Sequence, residues 1–303
     1  MLDVSLLGTS GMMPLPDRWL TSLALRYMGR VMLIDCGEGT QITMKLQGWG
    51  FKSIELICFT HYHADHISGL PGLLLAISNS GRTEPIKLIG PVGLKRVVEG
   101  LTVISPELAF DIEYIEIPFN KGIVYDMKGY LVTAEVADHL VPCLSYRIDV
   151  VRKGKFNAEK AKALNIPLEY WKQLQNDNTV EFNGKIYTPD MVMGQARKGI
   201  RVTYCTDTRP TELIQNLAYE SDLFICEGMY GENEKLDKAI ENKHMLFSEA
   251  ANLAKKSNSK ELWLTHFSPS LIRPEDFLCN AKSIFENTYV GFDRMNKTLY
   301  FEN

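Results

Sequence analysis

Three of the chain's six histidines fall in one short run, Thr60-His61-Tyr62-His63-Ala64-Asp65-His66, with a carboxylate among them. Imidazole and carboxylate without thiolate suit zinc, with manganese or iron as alternatives. The run follows Ile54-Glu55-Leu56-Ile57-Cys58-Phe59, an apolar β-rich stretch that reads as a buried strand. It precedes Ile67-Ser68-Gly69-Leu70-Pro71-Gly72-Leu73, a turn opening into a helix. Loops at strand ends are where functional groups are usually displayed. His61 and His63, two apart, can point the same way from an extended backbone. Asp65 and His66 follow as the chain turns. Two pairs of ligands side by side suit two metal ions rather than one. A polar loop whose histidines cap a helix is the alternative; the density of ligands after a buried strand weighs against it.

Three more candidates, His139, Asp207 and His266, each lie at the end of an expected strand or on the turn after one. With the first cluster they make seven ligands. His61, His63 and His139 suit one ion; Asp65, His66 and His266 suit the other, with Asp207 between them. Two metals sharing a hydroxide would attack an ester phosphorus and stabilise both in-line oxygens.

The elements that must position these groups alternate in type. Residues 2–7, 22–27 and 31–35 read as strands, the first two separated by a Gly/Pro-rich loop over 8–19. Cys36-Gly37-Glu38-Gly39-Thr40-Gln41 is a glycine turn into a helix; with no Lys-Ser/Thr after it, it is a weak phosphate loop. Strand and helix then alternate to about residue 120. Residues 123–149 read as an antiparallel run, with His139 between its last two strands. Strands follow at 201–205, 222–226 and 261–265, ending at Asp207, Glu227 and His266. Helices are expected near 211–219, over 249–256 with a Ser248 cap, and from Pro274. Short strands close the chain at 290–293 and 298–301. Ile57-Cys58-Phe59-Thr60-His61 and Leu262-Trp263-Leu264-Thr265-His266 echo each other, which suggests a two-fold pseudo-repeat with both strand ends at one edge.

The apolar fraction of 45% is ample for a core, and the net charge of −4 excludes a polycation. Any nucleic-acid contact must use a local basic surface. The six cysteines are scattered in mostly apolar runs and are expected as buried thiols rather than disulfides. The start lacks a basic n-region, and no apolar run approaches the length of a membrane span. A cytoplasmic, reducing location is expected, with no membrane partner. Residues 151–199 stand apart: nine Lys/Arg against five Asp/Glu, few apolar periods, and Phe156, Tyr170 and Trp171 interleaved. That composition suits either a solvated loop or an inserted arm that meets a phosphate backbone.

The chain resembles the metallo-β-lactamase superfamily and, within it, the short-form ribonuclease Z branch, endonucleases that remove 3′ trailers from precursor tRNA. The resemblance runs nearly end to end. Its pieces are Leu7-Gly8-Thr9, Asp35-Cys36-Gly37-Glu38-Gly39-Thr40-Gln41, the histidine run, Asp138-His139, Asp207-Thr208-Arg209-Pro210, Lys243-His244-Met245 and Thr265-His266-Phe267-Ser268. The histidine run marks only the superfamily; the Gly-Glu-Gly-Thr-Gln turn and Lys-His-Met narrow it. The resemblance implies an α/β fold, a four-layer αβ/βα sandwich, with two Zn2+ at one edge on the seven ligands above. It implies that Asp65 also orients or deprotonates the attacking water. Glu227 and His244 would hold the scissile phosphate and protonate the leaving 3′ oxygen. One catalytic domain over 1–303 is expected, with 151–199 an inserted arm that grips the tRNA elbow from the partner subunit of a homodimer. Hydrolysis of other small phosphodiesters and non-catalytic RNA binding are the alternative functions. This chain departs from the family at Cys226-Glu227-Gly228-Met229, where His-Glu-Ala-Thr is usual, and at Trp19, Ser145, Gln195 and Thr206. No departure removes a ligand.

Overall fold

The computed structural model describes every residue except Pro106, 119–122, Lys128 and Asn303. Two compact units divide the chain: Met1–Asp149 with Ile200–Tyr300, and Val150–Gly199 with Phe301–Asn303.

The larger unit is a sandwich of two seven-stranded sheets. Its first half contributes β1 (Leu2–Gly8), β2 (Ser22–Tyr27), β3 (Arg30–Ile34), β4 (Ile54–Cys58), β5 (Ile86–Pro91) and β6 (Ile112–Ile117). The second sheet begins with β7 (Ile123–Asp126), β8 (Tyr130–Ala137) and β9 (Cys143–Arg152). After the inserted hairpin strands β10 (Val180–Phe182) and β11 (Lys185–Tyr187) come β12 (Arg197–Cys205), β13 (Leu223–Glu227), β14 (Leu262–Thr265), β15 (Thr288–Val290) and β16 (Asn296–Leu299). The sheet orders are β16-β1-β2-β3-β4-β5-β6 and β15-β14-β13-β12-β9-β8-β7. The last strand thus returns to pair antiparallel with the first. β3 to β6 are mutually parallel, as are β12 to β15. Parallel strands buried on both faces read as continuous apolar runs, which is why β4, β13 and β14 were plain in the sequence.

Helices cover the sheets. Leu70–Asn79 starts with a proline in its first turn and buries Leu70, Leu73, Leu74 and Ile77, one helical face. Phe247–Lys256 buries Phe247, Ala250, Ala251, Leu253 and Ala254. This helix begins before the expected Ser248 cap. Glu249, three residues in, reaches back to the Leu246 N–H at 2.9 Å, while the Ser248 hydroxyl turns to Asn233. The expected helix at Pro274 is a 3-10 turn, Pro274–Phe277, followed by the short helix Leu278–Lys282. The strand expected at 290–293 is displaced to β15, Thr288–Val290. The strand and helix alternation expected to about residue 120 is present through β6; 119–122 lie outside the described residues. Five of the cysteines are buried and all six are free thiols. Among the described residues, no helix is long and apolar enough to cross a membrane.

The smaller unit has more internal order than its composition suggested. Helices Ala158–Ala163, Leu168–Gln175 and Pro189–Val192 and the β10–β11 hairpin enclose Ala161, Ile166, Leu174, Val180, Tyr187 and Val192. Phe156, Tyr170 and Trp171, read as candidate surface aromatics, pack partly buried against this cluster. The Trp171 indole N–H donates to the Ile166 carbonyl at 2.9 Å. These rings hold the unit together, so its charge, rather than its aromatic residues, is what it offers to solvent.

Candidate metal centre

Parallel register brings the second-half residues together. Cys205 pairs with Cys226 and Glu227 with Thr265, so the turns after β12, β13 and β14 lie side by side. Asp207, Glu227 and His266 occupy those ends, where open α/β sheets place their sites. The first half delivers its cluster from the end of β4, with Asp65 and His66 on the short helix Ala64–Ile67. Leu144 N–H donates to the Thr60 carbonyl at 2.9 Å, and the Tyr146 hydroxyl to the Phe59 carbonyl at 2.6 Å. These bonds tie the end of β4 to β9. Asp35, Asp207 and His266 sit in the left-handed backbone region, with φ of 61°, 53° and 55°. Such residues cost roughly 1–3 kcal/mol each and persist where the surroundings over-determine them.

All seven expected ligands converge. The donor atoms of His61, His63 and His139 lie within 4.8 Å of one another, as do those of Asp65, His66 and His266. Asp207 lies between the groups: its Oδ2 is 3.1 Å from His66 Nε2 and 3.3 Å from His266 Nε2, and its Oδ1 is 3.8 Å from His139 Nε2. His61 Nε2, His139 Nε2 and Asp207 Oδ2 are buried atoms without a hydrogen-bond partner. Buried polar atoms are rarely left so unless something else satisfies them, and a divalent cation suits these donors. The centre binds divalent metal ions.

A second layer fixes the first. His66 Nδ1 donates to Asp35 Oδ2 at 2.8 Å, which turns Nε2 towards the centre. The Thr60 N–H and hydroxyl hold the other Asp35 oxygen at 2.8 and 3.0 Å. Met12 N–H donates to Asp65 Oδ2 at 2.6 Å. Gly11 lies against the His266 ring: a Cβ there would come within 2.8 Å of Cε1 and Nε2.

The charges are arranged for a cation. Burial holds His61 and His139 below their ordinary value, in the neutral form that ligates metal. Burial would raise Asp65 and Asp207, but the surrounding histidines outweigh it and hold both carboxyls below the usual range. Burial also opposes charge on His66; Asp207, Asp35 and Asp65 outweigh it and hold His66 well above its ordinary value. The spot attracts positive charge, whether proton or metal ion.

Glu227 and His244 form the expected pair. Glu227 Oε2 accepts from His244 Nδ1 at 2.9 Å, and its Oε1 from the Thr208 N–H at 2.6 Å. Burial of His244 works against its charge, and Glu227 more than offsets it, raising the imidazole to about 9. The His244 carbonyl accepts from Arg209 Nη1, whose guanidinium forks onto Glu249. A cavity of about 400 Å3 opens over the centre; Tyr230, Lys238, Asn242, Ser268, Met12 and Leu140 complete its walls. Asp35, Tyr230, Lys238 and Asn242 join the site without having been expected there. Asp35 carried a signal, an aspartate at a strand end before a glycine turn. The other three carried none, because the helix Leu236–Glu241 that presents Lys238 was not foreseen.

The loop carrying Gly11 and Met12 is anchored at Asp293, which accepts from Thr9 Oγ1 at 2.8 Å and Trp19 N–H at 2.6 Å. Burial raises this carboxyl to about 6, against those two hydrogen bonds. An acid with a folded pKa above its ordinary 3.8 keeps its proton longer in the native state, so its contribution to stability falls as pH rises through that interval. Asp293→Asn removes the titration. The variant's unfolding free energy, relative to wild type, should therefore grow from pH 4 to 7 by on the order of 2–3 kcal/mol. Urea melts of both proteins across that range test it; a difference independent of pH rejects it.

A family model described as anti-Pycsar protein Apyc1 matches residues 2–99. The chain is 54% identical over 308 residues to a ribonuclease Z of Clostridium acetobutylicum, covering 100% of both chains. It is 56% identical over 302 residues to one of Agathobacter rectalis, covering 100% of this chain and 99% of that one. Its fold is similar to that of human tRNase Z, short form, with a TM-score of 0.72 at 24% identity, covering 99% of this chain and 100% of that one.

Proposed function

The chain belongs to the ribonuclease Z family, and on that premise we propose that it removes 3′ trailers from precursor tRNA as a zinc-dependent phosphodiesterase. The observation that carries the reading is the meeting of seven nitrogen and oxygen ligands with the Glu227–His244 pair at one sheet edge. Two zinc ions are the proposed occupants, His61, His63 and His139 holding one, Asp65, His66 and His266 the other, with Asp207 between. When bound, such ions supply Lewis acidity at phosphoryl oxygens and a water acidic enough to ionise near neutral pH. Asp65, steadied by the Met12 N–H, orients the attacking water and accepts its proton. His244, kept protonated by Glu227, contacts the scissile phosphate and passes a proton to the leaving 3′ oxygen. The Arg209–Glu249 fork holds the His244 backbone while this happens.

Residues 151–199 are the proposed tRNA-gripping arm, whose net positive charge suits a phosphate backbone. The active form is proposed to be a homodimer in a reducing cytoplasm, where the buried free thiols persist. Deleting about residues 152–196 should weaken tRNA binding, measured by filter retention, yet spare hydrolysis of bis(p-nitrophenyl) phosphate. Equal loss of both refutes the arm. The test of the whole reading is to map the cut on one CCA-less precursor tRNA, with metal content measured on the same sample. Cleavage of the small ester without a discrete cut in the tRNA would instead make the protein a general phosphodiesterase.

A further inference from the structure

The wall of the metal cavity beyond His244 is not used by the chemistry above. Tyr230 forms it, buried, with its ring centroid 6.4 Å from that of His244 and nearly perpendicular to it. The Lys238 ammonium lies 5.5 Å from the centre of the Tyr230 ring. Asn242, one helical turn after Lys238, donates to the Tyr230 hydroxyl at 3.4 Å. Neighbouring Lys235 is paired with Glu232 at 2.7 Å. Lys238 has no carboxylate partner among the described residues. It lines the cavity, where the other titratable wall residues are histidines, aspartates and Tyr230 itself. An unneutralised ammonium at the mouth of such a cavity is set for an anion. The aromatic face beneath it limits its wandering without consuming its charge.

We propose that Lys238, steadied on Tyr230 and joined by the Asn242 amide, binds the RNA phosphate next to the scissile one, on the side of the leaving 3′ oxygen. The side follows from the order along the wall: His244 faces the leaving oxygen, Tyr230 comes next, and Lys238 lies beyond it. The contact is to backbone, so it fixes the register of the strand in the cavity and reads no base. The inference rests on the functional reading above. It adds a subsite and a positional rule: a substrate needs one charged linkage on the 5′ side of the cut for full efficiency.

The test is a two-by-two comparison of kcat/KM. Wild type and Lys238→Ala are each given a precursor tRNA whose 3′ strand, spanning the cut, is joined by ligation. In one form all linkages are phosphates; in the other the linkage immediately 5′ of the scissile phosphate is a neutral methylphosphonate. Lys238→Ala should lose roughly tenfold on the charged RNA, the range for a charge-assisted hydrogen bond. Methylphosphonate should cost wild type a similar factor and cost the variant almost nothing more. The slope of log kcat/KM against log salt should become shallower by about 0.7 in the variant, one single-strand phosphate contact. Lys238→Arg should restore most of the coupling. If the two losses multiply, Lys238 does not contact that phosphate and the inference fails. If coupling appears only with methylphosphonate 3′ of the cut, the side assignment fails. Should wild type not cleave the unmodified RNA at all, the functional reading fails before this one is reached.

Discussion

Asp207→Ala is expected to abolish turnover and strip the protein of metal together. This carboxylate is buried and reaches both ligand groups, at 3.1 Å from His66 Nε2, 3.3 Å from His266 Nε2 and 3.8 Å from His139 Nε2. Without it, the histidines lose the anion that makes a doubly charged ion affordable in a buried place. The catalytic loss should be at least about 10³-fold, because a metal-activated water has a pKa near 7 and bulk water one of about 15.7. Two measurements check it on one preparation: metal per chain by elemental analysis, and cleavage of precursor tRNA. Chelation of wild type should copy the loss of activity, and added zinc should reverse it in wild type alone. Thermal stability supplies a readout independent of catalysis. An ion bound only by the native state raises the melting temperature by mass action, so zinc should shift wild type and leave Asp207→Ala nearly unmoved. A variant that keeps its metal and loses only rate would mean that Asp207 acts in catalysis rather than in ligation.

The second large effect separates acid from ligand. Asp207, His244 and His266 also have donor atoms within 4.8 Å of one another, so His244 is a geometric candidate for a metal ligand. Its Nδ1 is, however, committed to Glu227 at 2.9 Å. His244→Ala should therefore leave metal content near wild type while turnover on RNA falls by about 10²–10⁴, the usual span for general acid help. Glu227→Gln should reduce turnover in the same direction, since an amide cannot hold His244 charged. The leaving group makes the test specific. A 3′ alkoxide needs a proton; p-nitrophenolate hardly does. Both variants should lose much less on bis(p-nitrophenyl) phosphate than on RNA. Loss of metal in His244→Ala would reassign the histidine as a ligand.

Much of this centre was legible because its parts stand at strand ends. β4, β13 and β14 announce themselves as apolar runs, and the residues that matter, His61, Glu227 and His266, stand at or just past their ends, as Asp207 does past β12. His139 was harder to place, lying in a short turn between β8 and β9, and the antiparallel pattern around it supplied the position. Register was not legible. Nothing in the order of residues says that Glu227 would stand level with Thr265, and that pairing sets the spacing of the site. The supporting layer was hidden for the same reason. Asp35 and His66 are far apart in sequence, and their 2.8 Å contact exists only because β3 and β4 are parallel neighbours. In the smaller unit, counting charges found the basic surface but misread the aromatic residues. An aromatic ring in a polar stretch looks displayed until the small core it closes is seen.

Gly11 bears no functional group and makes no polar contact through a side chain, yet it lies against the Cε1–Nε2 edge of His266. Even one methyl group at that position must push either the imidazole or the loop. Sequence drift in this enzyme is thus confined at a place that a survey of reactive residues would pass over. Attempts to broaden its repertoire by randomising the 8–19 loop should leave residue 11 alone, because the vacant space there is itself a working part.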